Sequence, residues 1–70
     1  MKKQKMVEVS RKHLKNIKLL IRNDEQIIWC KHLTDSRIKC ITIKSNGLVC
    51  VYLFDYDAEC DYYTLYNMVE

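Results

Sequence analysis

Proline is absent from this 70-residue chain, glycine occurs once, as Gly47, and alanine once, as Ala58. With one glycine no glycine-rich phosphate loop can be built. The complementary abundance of Lys, Ile, Asn, Asp and Tyr suggests an AT-rich genome. No apolar run approaches the roughly 18 residues of a membrane span. The basic start (Lys2, Lys3, Lys5) is followed by alternating residues instead of an apolar core and cleavage site, so no signal peptide is expected and the chain is expected to stay in the cytoplasm.

Close cysteine pairs are also lacking. Cys30, Cys40, Cys50 and Cys60 fall ten residues apart, whereas zinc normally wants two thiolates from one tight turn. No metal is expected. In a reducing cytoplasm the thiols should be free and act as small apolar side chains. Only Cys30 and Cys40, opposed on neighbouring strands, come near disulfide geometry.

Catalytic sets are missing too. His13 and His32 have no serine or carboxylate at a triad spacing. Cys30 and His32 share a strand face, but a thiolate needs an accessible, electropositive niche that an apolar sheet does not offer. Asp55-Tyr56-Asp57-Ala58-Glu59 begins like a calcium loop, yet its sixth position is Cys60 instead of glycine and its twelfth is Tyr66 instead of glutamate. No cofactor and no enzymatic activity are expected.

What remains is a chain with 49% hydrophobic residues, enough for one small folded domain over residues 1–70, with 1–9 as a flexible lead-in and a short strand over Met6–Val9 as the alternative. Ser10 is an N-cap candidate for a helix over Arg11–Arg22. At 100° per residue Leu14, Ile17, Leu20 and Ile21 fall within about 120° of one another. Arg11, Lys15, Lys18 and Arg22 form a stripe about 16 Å long on the opposite side. Leu19 breaks the pattern at the edge of that basic face, and His13 points to the apolar side.

Strands are expected at 26–33, 37–44 and 48–54, rich in Ile, Val, Trp and Tyr. Thr34-Asp35-Ser36 should turn the first hairpin, and Asn46-Gly47, as a two-residue type I′ turn, the second. That register sets Cys30 opposite Cys40, and Ile41 opposite Tyr52. One face then holds Ile27, Trp29, Ile41, Ile43, Leu48, Cys50, Tyr52 and Phe54; the other holds Ile28, Cys30, Ile38, Cys40, Val49, Val51 and Leu53. The expected class is α+β: an N-terminal helix on a three- to four-stranded antiparallel β-meander, with a C-terminal strand or short helix over 58–69. One helix covers one face. The second apolar face must be covered by that tail, by a partner, or by a second copy in a homodimer.

Charge divides the chain. Residues 1–23 hold eight of the twelve Lys and Arg against one acid, while 24–70 hold four bases and eight acids. Asp55, Tyr56, Asp57, Glu59, Asp61, Tyr62, Tyr63 and Tyr66 make an acidic, tyrosine-rich segment. Such a segment repels nucleic acid and suits a basic protein surface, with tyrosine as the anchor. The stripe of Arg11, Lys15, Lys18 and Arg22 could instead meet a phosphate backbone, with a log–log salt slope of about −3.6 for four phosphates.

The order α-β-β-β-tail is similar in length and layout to the double-stranded-RNA-binding domain, whose basic residues lie at the start of a second helix. The corresponding segment here is acidic. The opening Val7-Glu8-Val9-Ser10-Arg11-Lys12-His13-Leu14 resembles the start of many small phage proteins. That resemblance implies a compact cytosolic inhibitor or adaptor of a host or defence protein, anti-CRISPR proteins being examples.

Overall fold

The computed structural model describes residues 6–69, with side chains through residue 66. Lys2, Lys3, Lys5, Glu70 and the side chain of Met68 therefore lie outside the described residues. The elements are β1 (Met6–Glu8), α1 (Arg11–Leu20), β2 (Glu25–Thr34), β3 (Arg37–Lys44), β4 (Val49–Asp57) and β5 (Tyr62–Val69), and the five strands form one sheet in the order β1-β2-β3-β4-β5. The class is α+β, as expected, but the sheet is mixed and has five strands.

The first difference lies in the lead-in. Met6, Val7 and Glu8 pair in parallel with Trp29, Cys30 and Lys31, so this stretch is a strand and α1 is the crossover between two parallel neighbours. Three residues are too few for a period-2 pattern to stand out from sequence. Val7 and Val9 pack against the core, and Glu8 lies 3.8 Å from Lys31 across the pair.

Helix α1 begins where its cap predicts. The Ser10 side chain accepts from the His13 N–H at 3.2 Å, and Ser10 itself is extended. The helix ends at Leu20, two residues before the expected stop, because Ile21 takes an extended conformation as the C-cap. Ile17 is fully buried and Ile21 nearly so, whereas Leu20 is 53% exposed. Four positions at helical spacing do not all reach the sheet.

The second difference is one of register. Cys30 does face Cys40. The second hairpin, however, pairs Ile43 with Val49 and Cys40 with Tyr52, one residue away from the two-residue reading. The loop has three residues, Ser45-Asn46-Gly47, closed by a Gly47 N–H to Lys44 carbonyl bond of 2.8 Å, and Gly47 adopts φ +91°. This is the type I turn plus left-handed glycine, the next most common hairpin loop after the primed turns. A one-residue slip sends every side chain of a strand to the other face. Cys50, Tyr52 and Phe54 consequently lie under the helix instead of beside Trp29.

A register shift in β2 between Ile27 and Trp29 does the same for Ile27. The helix side of the sheet thus gathers Ile27, Cys30, Ile38, Cys40, Cys50, Tyr52 and Phe54 around Ile17 and Ile21. One acid joins this core. Glu25 accepts from the hydroxyls of Thr42 at 2.5 Å and Tyr52 at 2.7 Å, and both partners are buried. Burial and the adjacent Glu25 carboxylate raise the Tyr52 phenol above its ordinary range.

The tail is a strand, and it does not cover the second face. β5 adds to the edge of the sheet beside β4. Among the described residues no element lies over the side that carries Trp29, Ile41, Ile43, Val49, Val51 and Leu53. No described helix is long and apolar enough to cross a membrane.

Candidate functional site: an open sheet face and a histidine–tyrosine corner

Alternation along β3 and β4 generates the open face. Ile38, Cys40, Thr42, Cys50, Tyr52 and Phe54 are buried, while Lys39, Ile41, Ile43, Val51, Leu53 and Asp55 between them are half-buried and Val49 is exposed. Half-burial of these side chains comes from their own cross-strand neighbours. Trp29 joins them from β2, with the Lys39 ammonium 5.9 Å from its ring centre. At the β5 margin the Arg37 guanidinium stands 4.4 Å over the ring of Tyr66 and donates to Asp55 at 3.1 Å. An apolar strip bordered by Lys39 and the Arg37–Asp55 pair is the result.

The acidic tyrosine segment does not form one surface. Asp55, Tyr56 and Asp57 belong to β4, Tyr62, Tyr63 and Tyr66 to β5, and Glu59 and Asp61 to the turn between them. Asp57 shapes that turn by accepting from the Glu59 N–H at 3.0 Å, and Asp61 takes φ +53°, a conformation Asp tolerates better than most residues. Tyr62 and Tyr66 are more than half exposed. Tyr56 and Tyr63 instead turn to the helix side.

There they meet residues that no sequence spacing connects to them. Tyr56 and Tyr63 are cross-strand partners with ring centres 4.7 Å apart. The His13 ring packs edge-on against Tyr56 at 4.5 Å and lies 5.3 Å from the ring of His32. The Tyr63 hydroxyl accepts from Asn16 at 3.3 Å and donates to His13 Nδ1 in a short contact, which fits a neutral imidazole. His32 Nδ1 donates to the Thr34 carbonyl at 3.3 Å.

Asp61 completes the corner. One of its oxygens accepts from the Tyr56 hydroxyl at 2.7 Å and lies 3.1 Å from Lys12. The Tyr56 and Lys12 contacts hold the Asp61 carboxyl below its ordinary value, and Asp61 in turn raises both Tyr56 and Lys12. His13 is held below its ordinary value, first by desolvation and then by the nearby His32 and Lys12, with Asp61 acting in the opposite sense. The corner therefore ties the start of α1 to both strands of the last hairpin.

Arg11, Lys15, Lys18 and Arg22 are all exposed. Arg22 lies 3.6 Å from Asp24. Lys18 and Arg22 line a cleft of about 420 Å³ between β1 and the end of α1, with Glu25 among its walls. No group of three or more His, Cys, Asp or Glu able to hold a metal occurs among the described residues. Cys30 is fully buried against Cys40, whose thiol is pushed far up by Cys30 and by burial, so the strand offers no accessible thiolate niche. All four cysteines are free, and Cys60, in the β4–β5 turn, is exposed, unlike the other three.

No protein-family model matches the chain, and no curated protein or solved structure matches it either.

Proposed function

We propose that this chain is a non-catalytic binding protein whose contact surface for a protein partner is the open face of its sheet. The observation that carries the reading is the apolar strip of Trp29, Ile41, Ile43, Val51 and Leu53, which no described element covers. Apolar patches of this kind on small proteins mark partner sites. A central tryptophan and a flanking arginine–tyrosine pair are the residue types that anchor interfaces. Tyr62, Asp57 and Glu59, exposed at one end of the sheet, extend the surface towards a basic partner. With the phage-protein resemblance, the partner is a host or defence protein, for example a CRISPR-type nuclease, and the chain acts as its inhibitor or adaptor in the host cytoplasm.

The test is affinity capture from host cells with the intact chain and two variants. Val51→Lys should reduce the captured partner about tenfold or more, because a desolvated charge in an interface core is costly. Tyr62→Ala should weaken capture less. Partner recovery unchanged by Val51→Lys would sink the reading.

A second reading rests on a different observation. Among the described residues Arg11, Lys15 and Lys18 have no carboxylate in ion-pair contact, which leaves a basic stripe open to phosphate. Salt-sensitive binding of duplex DNA or RNA in gel shifts, lost in the Lys15→Glu/Lys18→Glu variant, would favour nucleic acid over protein.

A further inference from the structure

Cross-strand register arranges the open face in rows. Trp29, Ile41 and Val51 form one row, because Trp29 faces Ile41 and Ile41 faces Val51. Ile43 and Val49 lie beyond it, towards the β3–β4 loop. On its other side Lys31, Lys39 and Leu53 form the next row, with Glu8 at the β1 end. Arg37 and Asp55 follow, and they satisfy each other at 3.1 Å.

Lys31 and Lys39 are thus directly opposed, and like charges in that position destabilise a strand pair. Glu8 lies 3.8 Å from Lys31, on the side away from Lys39. Lys39 is half-buried, and among the described residues no carboxylate is in ion-pair contact with it. Its ammonium stands 5.9 Å from the centre of the Trp29 ring, which keeps the cation beside the apolar row. One carboxylate therefore serves two ammonium groups at the border of an uncovered apolar strip.

We propose that the partner of the open face is a protein segment, apolar along one side, that carries a carboxylate beside its apolar residues. The apolar side covers the Trp29–Ile41–Val51 row, and the carboxylate lies between Lys31 and Lys39. This rests on the function proposed above and names the chemistry of the partner at that surface. A carboxylate in that place bridges the two opposed cations and gives Lys39 the ion pair that Glu8 gives only to Lys31. Lysines beside a tryptophan also suit single-stranded nucleic acid, but stacking uses successive rings, and in these rows Trp29 stands among aliphatic side chains. An apolar protein segment buries those side chains. The acidic turn at Asp57 and Glu59 addresses a different part of the partner, since it lies on the β4–β5 side while the lysines are on β2 and β3.

Selection of short random peptides on the immobilised full chain tests this. Enriched sequences should join a run of apolar residues to Asp or Glu. Lys31→Gln/Lys39→Gln should raise the dissociation constant of a synthetic copy about tenfold or more, and Ile41→Thr/Val51→Thr about fivefold or more, with unchanged circular dichroism spectra. Added salt should weaken the intact chain more than the lysine variant. Lys15→Gln/Lys18→Gln on the helix should change nothing. Enriched peptides without acids, or acidic ones that bind the Lys31→Gln/Lys39→Gln variant as tightly as the intact chain, would overturn the inference and leave the open face as the contact surface. Peptides indifferent to Ile41→Thr/Val51→Thr, or no enrichment at all, would remove both readings. Oligo(dT) binding tighter than any peptide and lost in the lysine variant would assign the surface to nucleic acid. A wild-type dimer in sedimentation, dissociated by Ile41→Thr/Val51→Thr, would assign it to a second copy. Either result overturns the inference.

Discussion

His13 is the residue on which the histidine–tyrosine corner turns. Its Nδ1 accepts from Tyr63, while desolvation first, and then His32 and Lys12, oppose a positive charge on the ring. The folded state therefore depresses the pKa below the roughly 6.5 of an unfolded chain. Between the two values the unfolded chain binds more protons, so stability falls as pH falls. The contribution is complete above about pH 6.5 and is lost as pH drops through the folded value. Thermal melts from pH 8 downwards should show the midpoint declining over that window, and the decline should be shallower in His13→Gln. A profile identical in the variant would mean that other groups carry the pH dependence. Tyr63→Phe, which keeps the ring but deprives Nδ1 of its donor, separates the hydrogen bond from the packing. The residue types of this corner were all visible in the sequence. Their association was not, because His13 and Tyr63 lie 50 residues apart and meet only once the register of the last hairpin is set.

At the scale of elements, the helix start and the three central strands were legible because each has a local cause: a capping serine, β-branched runs and short polar turns. The open face was legible in kind, as a surplus of apolar residues, but not in membership. Its composition depends on whether the loop at residues 45–47 counts two residues or three, and Asn46-Gly47 is compatible with either. Strand β1 was hidden by its length; in β5 the tyrosines and Thr64 favour strand over helix, but no local signal says which edge of the sheet it joins. The loop itself can be tested. Gly47 has φ +91°, and an added Cβ would meet nothing within 4 Å. Gly47→Ala should therefore cost about 1 kcal/mol through backbone conformation alone, a drop of about 4–8 °C in melting midpoint for a chain of this size. A stability equal to wild type would show that the loop relaxes to another turn.

The whole molecule has a core one layer deep, and three of its four thiols are in it. Cys30, Cys40 and Cys50 are each at most 1% exposed, and all lie between the sheet and the helix. Labelling with a thiol reagent under native conditions should modify Cys60 first, slowed by partial desolvation and then by the Asp57 carboxylate, which together raise its pKa. The other three should react together, at the rate of global opening, since no smaller movement exposes the layer. Fast labelling of Cys50 alone would reveal that β4 and β5 separate from the rest as a unit. In denaturant, four thiols should be counted.

The parallel pairing of β1 with β2 also bears on the order of folding. Every other strand contact in the sheet joins consecutive strands through a turn of a few residues and can form as soon as its two halves exist. Pairing Met6 with Trp29 instead closes a loop of more than twenty residues that contains α1. Contacts of higher sequence separation form more slowly. The hairpins β2–β5 are therefore expected to precede β1 in time, making the first strand of the chain the last to arrive.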